Sequence, residues 1–478
     1  MKNLYLPLLL LTTTTTFAQG PHFPWVINQI IHTTDSTGIA QLWSKDHEAI
    51  GAVRPDGTIS NEVVVPGTII GFGKFKGKVL ALCTPEEQDF KVKKEVHALL
   101  IDDRAGKLIA DNVIYTNTSG NLPIVTLVND DEGNFQYLLV RTSGKESSVG
   151  IMHFGKDNSK ILATTALAEI TLAADLKPVV TTLPSAAVGA DFIAAYANRK
   201  GELFIISHAN DQVIAEQFRQ DGHLQQKLNA PLDFSPILDR DDEGNLRGIF
   251  DPRNIETLTF AMTAKDHRDK HLILSFFIFD FASGKIPLQQ SSVLDGDYSK
   301  QFKDNPDWKA VRNAKKVEEQ RPDGIIYLND KLLIFTDIRY TVQPSNPSAA
   351  ARYESEATIV NIFDRQYHLI HQLFMDKDFE SFLSGGRGLS YHLHNGKIYA
   401  FGTENDGAAK YRNALFIIDP DKDLVTKITP DYGDGSRQDP VALDGLFWTG
   451  NFFAKYQLSD KKYDGSRTNS FLVKYSYQ

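Results

Sequence analysis

Four arginines recur just ahead of apolar, β-prone runs: Arg253 in DPRNIETLTF, Arg321 in EQRPDGIIYL, Arg387 in SGGRGLSYHL and Arg437 in SRQDPVALDG. They lie 68, 66 and 50 residues apart. A guanidinium fork matches carboxylate, sulfate or phosphate, so four that converge would form an anion site. Acids such as Asp251, Glu319, Asp323 and Asp439 lie nearby in sequence, and simple pairing with them is the alternative. The acids Asp191, Asp323, Glu404 and Asp444 fall near the same places and could act in general acid–base catalysis, although nothing sets them at a known separation. Tyr391, in SYHLHNG, could take a proton in such a scheme.

Other chemistry is thinner. His392 and His394 lie two apart, on one face of a strand, a spacing that can bind metal, but no third ligand is identifiable and His394 falls at a turn. The motif DDEGN occurs at 130–134 and again at 241–245. Its carboxylates suggest calcium. However, the first copy occupies a hairpin position where NRKG stands at 198–201, with Arg199 and Lys200 in place of Asp131 and Glu132. Counting twelve from Asp239 reaches Phe250, not the bidentate Glu of an EF-hand. A turn is the expectation, with no cofactor. There is no G-x-S-x-G, H-E-x-x-H or Walker loop.

The elements that must hold these residues repeat. One set of tight turns feeds apolar runs: KFKGKVLALC, DDEGNFQYLLV, NRKGELFIIS, LNDKLLIF, HNGKIYAF and WTGNFFAKY. A second set alternates with it: AVRPDGTIS, LIDDRAGKLIA, HFGKDNSKIL, FRQDGHLQ, FIFDFASGKIPL, NIFDRQYHLIHQL and FIIDPDKDLVTKI. Within it, Asp103, Asp364 and Asp419 are expected to bond their own turns. Inner and outer hairpins in alternation make four-stranded antiparallel units.

Across residues 19–478 this pattern resembles the β-propeller architecture. Seven blades are expected, or eight if residues 29–44 form a further inner hairpin. A strand from within 24–65 would close the ring, and 232–288 holds one strand pair more than a blade needs. A helix is expected over 304–320, with Asn305 as N-cap and Pro306 in the first turn. No repeated WD dipeptide and no S-x-D-x-G-x-T-W box is present, so the resemblance names no family. Hairpin turns are short, whereas the other connections are long, which selects one face for function. There the arginines would rim the channel mouth.

Residues 1–18 read as a signal peptide: Lys2, an apolar core LYLPLLLL and a small-residue cleavage site after Ala18. The run is shorter than the ~20 residues a membrane span needs, so a periplasmic or secreted monomer is expected. One cysteine, Cys83, allows no internal disulfide and reads as a buried small hydrophobe. Formal charge is −9, and −10 without Lys2, which argues against nucleic acid as a partner. Three functions remain open: binding of an anionic ligand such as an acidic saccharide or carboxylate, a hydrolase or lyase acting on an acidic glycan at the same mouth, and a protein-interaction scaffold using the loops around Pro344, Pro347 and Tyr353.

Overall fold

Alternation with period two sends successive residues of a strand to opposite sides, and here each side is a different packing interface. In the computed structural model, Leu80 and Leu82 face one apolar cluster with Leu138 and Leu172, while Val79, Ala81 and Cys83 face another with Ile39 and Ile50. The same holds for Phe204 and Ile206 against Leu203 and Ile205. Strands buried on both faces read as continuous apolar runs, and this is why the hairpins are legible in sequence.

The structure describes residues 18–19, 26–34, 37–43, 47–54, 59–85, 95–116, 124–130, 132, 134–143, 164–172, 175–183, 190–232, 235–236, 246–265, 272–292, 319–342, 352–381, 389–405, 411–428, 445–448, 451–459 and 468–476. Among the described residues every element is a strand, and no helix is long and apolar enough to cross a membrane.

The strands form a β-propeller. Six sheets stand alone with four strands each. A seventh sheet of nine strands merges two more four-stranded meanders and the short strand Ser235–Pro236. In chain order the eight four-stranded units span 26–64, 67–116, 124–182, 191–231, 246–292, 319–381, 390–428 and 445–476. We call them units 1 to 8. Consecutive units touch, as do unit 8 and unit 1. The expected seven blades are thus corrected to six separate ones plus a merged pair. The shortfall was the hairpin Val26–Thr34 and Thr37–Trp43, whose Ile30, Ile39 and Leu42 make it the inner hairpin of unit 1.

Closure also differs in detail. Unit 8 supplies three strands, and its fourth is Ala18–Gln19, paired antiparallel with Lys474 and Val473. Within the segment 24–65, expected to close the ring, the described strands Val26–Thr34, Thr37–Trp43, Glu48–Val53 and Ile59–Val64 all belong to unit 1. The region 232–288 resolves into the strands Leu246–Asp251, Asn254–Lys265, Leu272–Asp280 and Lys285–Ser292 of unit 5. The outer hairpin of unit 3 is Thr164–Leu172 with Pro178–Thr182, so HFGKDNSKIL (153–162) precedes it and lies outside the described residues. The helix expected over 304–320 also falls there, except that Glu319 and Gln320 already belong to the inner strand of unit 6. Tyr353, expected in a loop, lies in the strand Arg352–Phe363.

Candidate functional site

Every inner strand starts on the face of the long connections and ends at a short turn. That fixes where the sequence-predicted arginines stand. Arg321 is the third residue of the inner strand of unit 6, Glu319–Leu328, at its starting end. Arg253 lies beyond the finishing end of the inner strand of unit 5, in the turn Asp251–Asn254. Its sequence position just ahead of NIETLTF predicts a place before the innermost strand, but Asn254–Lys265 is the second strand of its unit. The two arginines therefore sit on opposite faces. Arg253 pairs with Asp251 (2.7 Å) and with Asp330 of the next unit (3.4 Å), and it lies over the Tyr327 ring. Arg321 pairs with Glu319. For both, the acid at hand in sequence is the partner found. Arg387, Arg437 and Asp444 lie outside the described residues.

At the starting ends, units 5, 6 and 7 meet around Asp323. The strands Lys331–Val342 and Arg352–Phe363 have 12 residues and Leu369–Ser381 has 13, whereas those of unit 4 have seven or eight. Unit 6 is therefore extended toward the mouth, and a single parallel pair, Leu272 with Glu319, joins it to unit 5. A bulge between Pro322 and Gly324 lets Asp323 serve both neighbours. Its carbonyl accepts from Arg247 Nε of unit 5 at 3.3 Å. Its carboxylate accepts from Leu389 N (3.2 Å) and from Tyr391 OH (2.7 Å) of unit 7. Three units meet on one residue.

Gly324 is required by that meeting. A Cβ there would stand 2.9 Å from Tyr391 Cε2, inside contact distance, so only glycine lets the phenol lie on the neighbouring strand. The ring packs against Phe335, with centroids 4.4 Å apart. Tyr196 packs in the same manner on Gly248 of unit 5. Arg247 acts on both phenols: its charge favours the ionised form of each, though burial outweighs it and both stay well above the usual tyrosine value.

Behind the mouth lies a layer of buried charge. Glu319 and Arg321 face Arg339 and Asp337 across the strand pair, so that opposite signs are register partners. Arg339 Nε bonds Asp337, and Ser355 Oγ donates to the same carboxylate. Lys377 Nζ lies 2.7 Å from Asp337 Oδ1 and 3.9 Å from Asp323 Oδ2. All six ionic side chains are at most 8% exposed. Three cations and three carboxylates balance, as buried charges must. Burial alone would raise the Asp337 carboxyl, but Lys377 and Arg339 outweigh it and hold it at about 2. For Asp323 burial wins, helped by the Asp337 charge, and its carboxyl is raised.

Arg247, Asp337, Arg339 and Lys377 were missed at the level of sequence. One signal was available. Charges of opposite sign at every second position, in EQRPDG and TDIRYT, put a charged stripe on one face of a strand that is otherwise apolar.

The remaining candidates are quickly placed. In the first DDEGN copy, Asp130 Oδ1 accepts from Glu132 N (3.0 Å) and Asn134 N (2.8 Å). Neutral Asn198 does the same for Lys200 N and Glu202 N, both at 3.0 Å, so the turn needs an oxygen rather than a charge. The second copy lies outside the described residues. Asp364 bonds its turn as expected, but at 100–110 the bonding residue is Asp102, not Asp103. His392 and His394 stack at 6.5 Å, and no group of three metal-ligating side chains occurs among the described residues. Asp191 opens the inner strand of unit 4 opposite His208, whose imidazole is pulled down by burial. Glu404 lies in the strand Lys397–Asn405. Cys83 is buried, and that burial pushes its thiol up to about 12.

No protein-family model and no curated protein matches the chain. Solved structures that match include the Dos1 propeller (TM-score 0.47, 11% identity, 96% of this chain and 95% of that one) and the WD40 domain of SCAP from fission yeast (0.44, 8%, 97% and 98%). The polysaccharide lyase Uly1 also matches (0.42, 10%, 95% and 100%). At such identities the likeness concerns the fold alone.

Proposed function

We propose that this chain is an exported propeller that binds an anionic ligand, an acidic saccharide or a carboxylate, at the mouth formed by units 5, 6 and 7. The observation that carries the reading is Arg247. It opens the inner strand of unit 5 and donates from Nε to the Asp323 carbonyl (3.3 Å) and from Nη1 to the Leu246 carbonyl (2.8 Å), beside two phenols. A partly buried guanidinium with aromatic walls suits a carboxylate on a ring. Arg321 lies deeper, and the sequence places Arg387 and Arg437 ahead of the inner strands of units 7 and 8. Export rests on the leader sequence of residues 1–18.

Binding is favoured over a lyase or hydrolase reaction by the state of Tyr391. Burial and the Asp323 carboxylate both raise its hydroxyl, so at neutral pH it keeps its proton and is a poor base. A thermal-shift screen against D-glucuronate, sulfated glycans and simple anions, with and without calcium, tests the reading. A ligand at a hundredfold excess over its Kd stabilises by about 2.7 kcal/mol. The expected result is a shift with an acidic sugar that disappears in Arg247→Ala. A flat response to every anion would sink the proposal and leave the scaffold reading.

A further inference from the structure

Resting on that reading, the polarity of the hydrogen bonds at the mouth narrows the ligand. Asp323 is surrounded by donors: Leu389 N at 3.2 Å, Tyr391 OH at 2.7 Å and Lys377 Nζ at 3.9 Å. An ionised carboxylate can only accept, so the single phenolic proton of Tyr391 is committed to it. What Tyr391 can still offer a ligand is a lone pair. We infer that the Asp323–Tyr391 pair makes the site selective for hydroxy acids of the uronate type, the ligand's carboxylate on Arg247 and one of its hydroxyls donating to the Tyr391 oxygen.

The pair is also a polarity switch. Were Asp323 protonated, its new O–H would find one acceptor among these neighbours, the Tyr391 oxygen, and the phenol would turn its own proton outward. The lone pair would no longer be available to a ligand hydroxyl. The charged and titratable groups facing Asp323 are Asp337 and Arg339 from the strand Lys331–Val342, Lys377 from Leu369–Ser381 and Tyr391 from Ser390–His394. Arg247, from Leu246–Asp251, faces its carbonyl. Asp323 here is a positioning residue, and Tyr391 a specificity-determining one.

Calorimetric titration of the full chain with D-glucuronate and with cyclohexanecarboxylate, which carries the acid without hydroxyls, provides the test. The wild type is expected to prefer glucuronate about fivefold, the factor that about 1 kcal/mol represents. Tyr391→Phe should remove that preference and bring glucuronate and cyclohexanecarboxylate to equal affinity. In the wild type the preference should fall as pH drops through the raised Asp323 value, and in Tyr391→Phe the ratio should not vary with pH. If that variant fails to fold, the pH series on the wild type decides alone. A preference that persists in Tyr391→Phe, or a ratio flat with pH, overturns the inference. Equal binding of both acids overturns it while the anion reading stands, and binding of neither overturns both.

Discussion

The two faces of this propeller use the same residue types in opposite ways. On the face of the short turns, charges form exposed links between neighbours: Glu132 with Arg199 (3.3 Å), Lys200 with Glu256 (3.1 Å), Arg253 with Asp330 (3.4 Å) and Lys331 with Asp421 (2.9 Å). These cross the boundaries from unit 3 through unit 7 one at a time. On the mouth face the charges of unit 6 are sealed between strands, with Lys377 and Asp337 fully shielded. Exposed pairs are screened and contribute little. Buried ones cost much to desolvate and more to break. A ring that needed only mechanical joining would have been served by the first kind. The second kind lies next to a guanidinium and two phenols, on the face where we place the proposed ligand.

Breaking the buried layer should have the largest effect. Lys377→Met leaves Asp337 and Asp323 without their shared cation and is expected to cost about 3–5 kcal/mol in denaturant unfolding. A loss below about 1 kcal/mol would mean that water reaches this layer and the contrast between faces is false.

Acid should dissolve the same layer more gently. The Asp337 carboxyl is held at about 2, below its ordinary 3.8. The stability it contributes is therefore fully present above 3.8 and is lost as pH falls through about 2. The loss should be on the order of 2 kcal/mol. In Asp337→Asn that part of the acid dependence should vanish, and its persistence would assign the effect elsewhere. The smallest effect belongs to the turn face. Arg253→Ala removes an exposed pair with Asp330 and one with Asp251, whose carboxylate is buried but whose arginine partner is half-exposed. About 1 kcal/mol should go, and added salt should narrow the difference from wild type.

Much of the fold was legible because strands such as Lys78–Pro85 and Leu203–Ala209 are buried on both sides. Runs such as KVLALC and ELFIIS have no polar face to confuse their reading, and the turn residues between them mark the hairpins. Unit 1 was harder to read because HTTDSTG interrupts its inner hairpin with residues that suit a loop equally well. The site was less legible, for a geometric reason. Arg253 and Arg321 each stand near a turn or strand start, and sequence alone does not say which strand of a unit is innermost. One misplaced strand in unit 5 moved Arg253 to the wrong face and hid Arg247, six residues earlier. Asp323 and Tyr391 each stand out in the sequence, but nothing in a linear pattern shows that a bulge at Pro322–Gly324 turns one toward the other.

The most direct test sets the two faces side by side: titration of D-glucuronate into Arg247→Ala and Arg253→Ala, with the wild type as reference. The account predicts that affinity is lost in Arg247→Ala and unchanged in Arg253→Ala. Equal loss in both, or loss in Arg253→Ala alone, would contradict it and move the site to the other face.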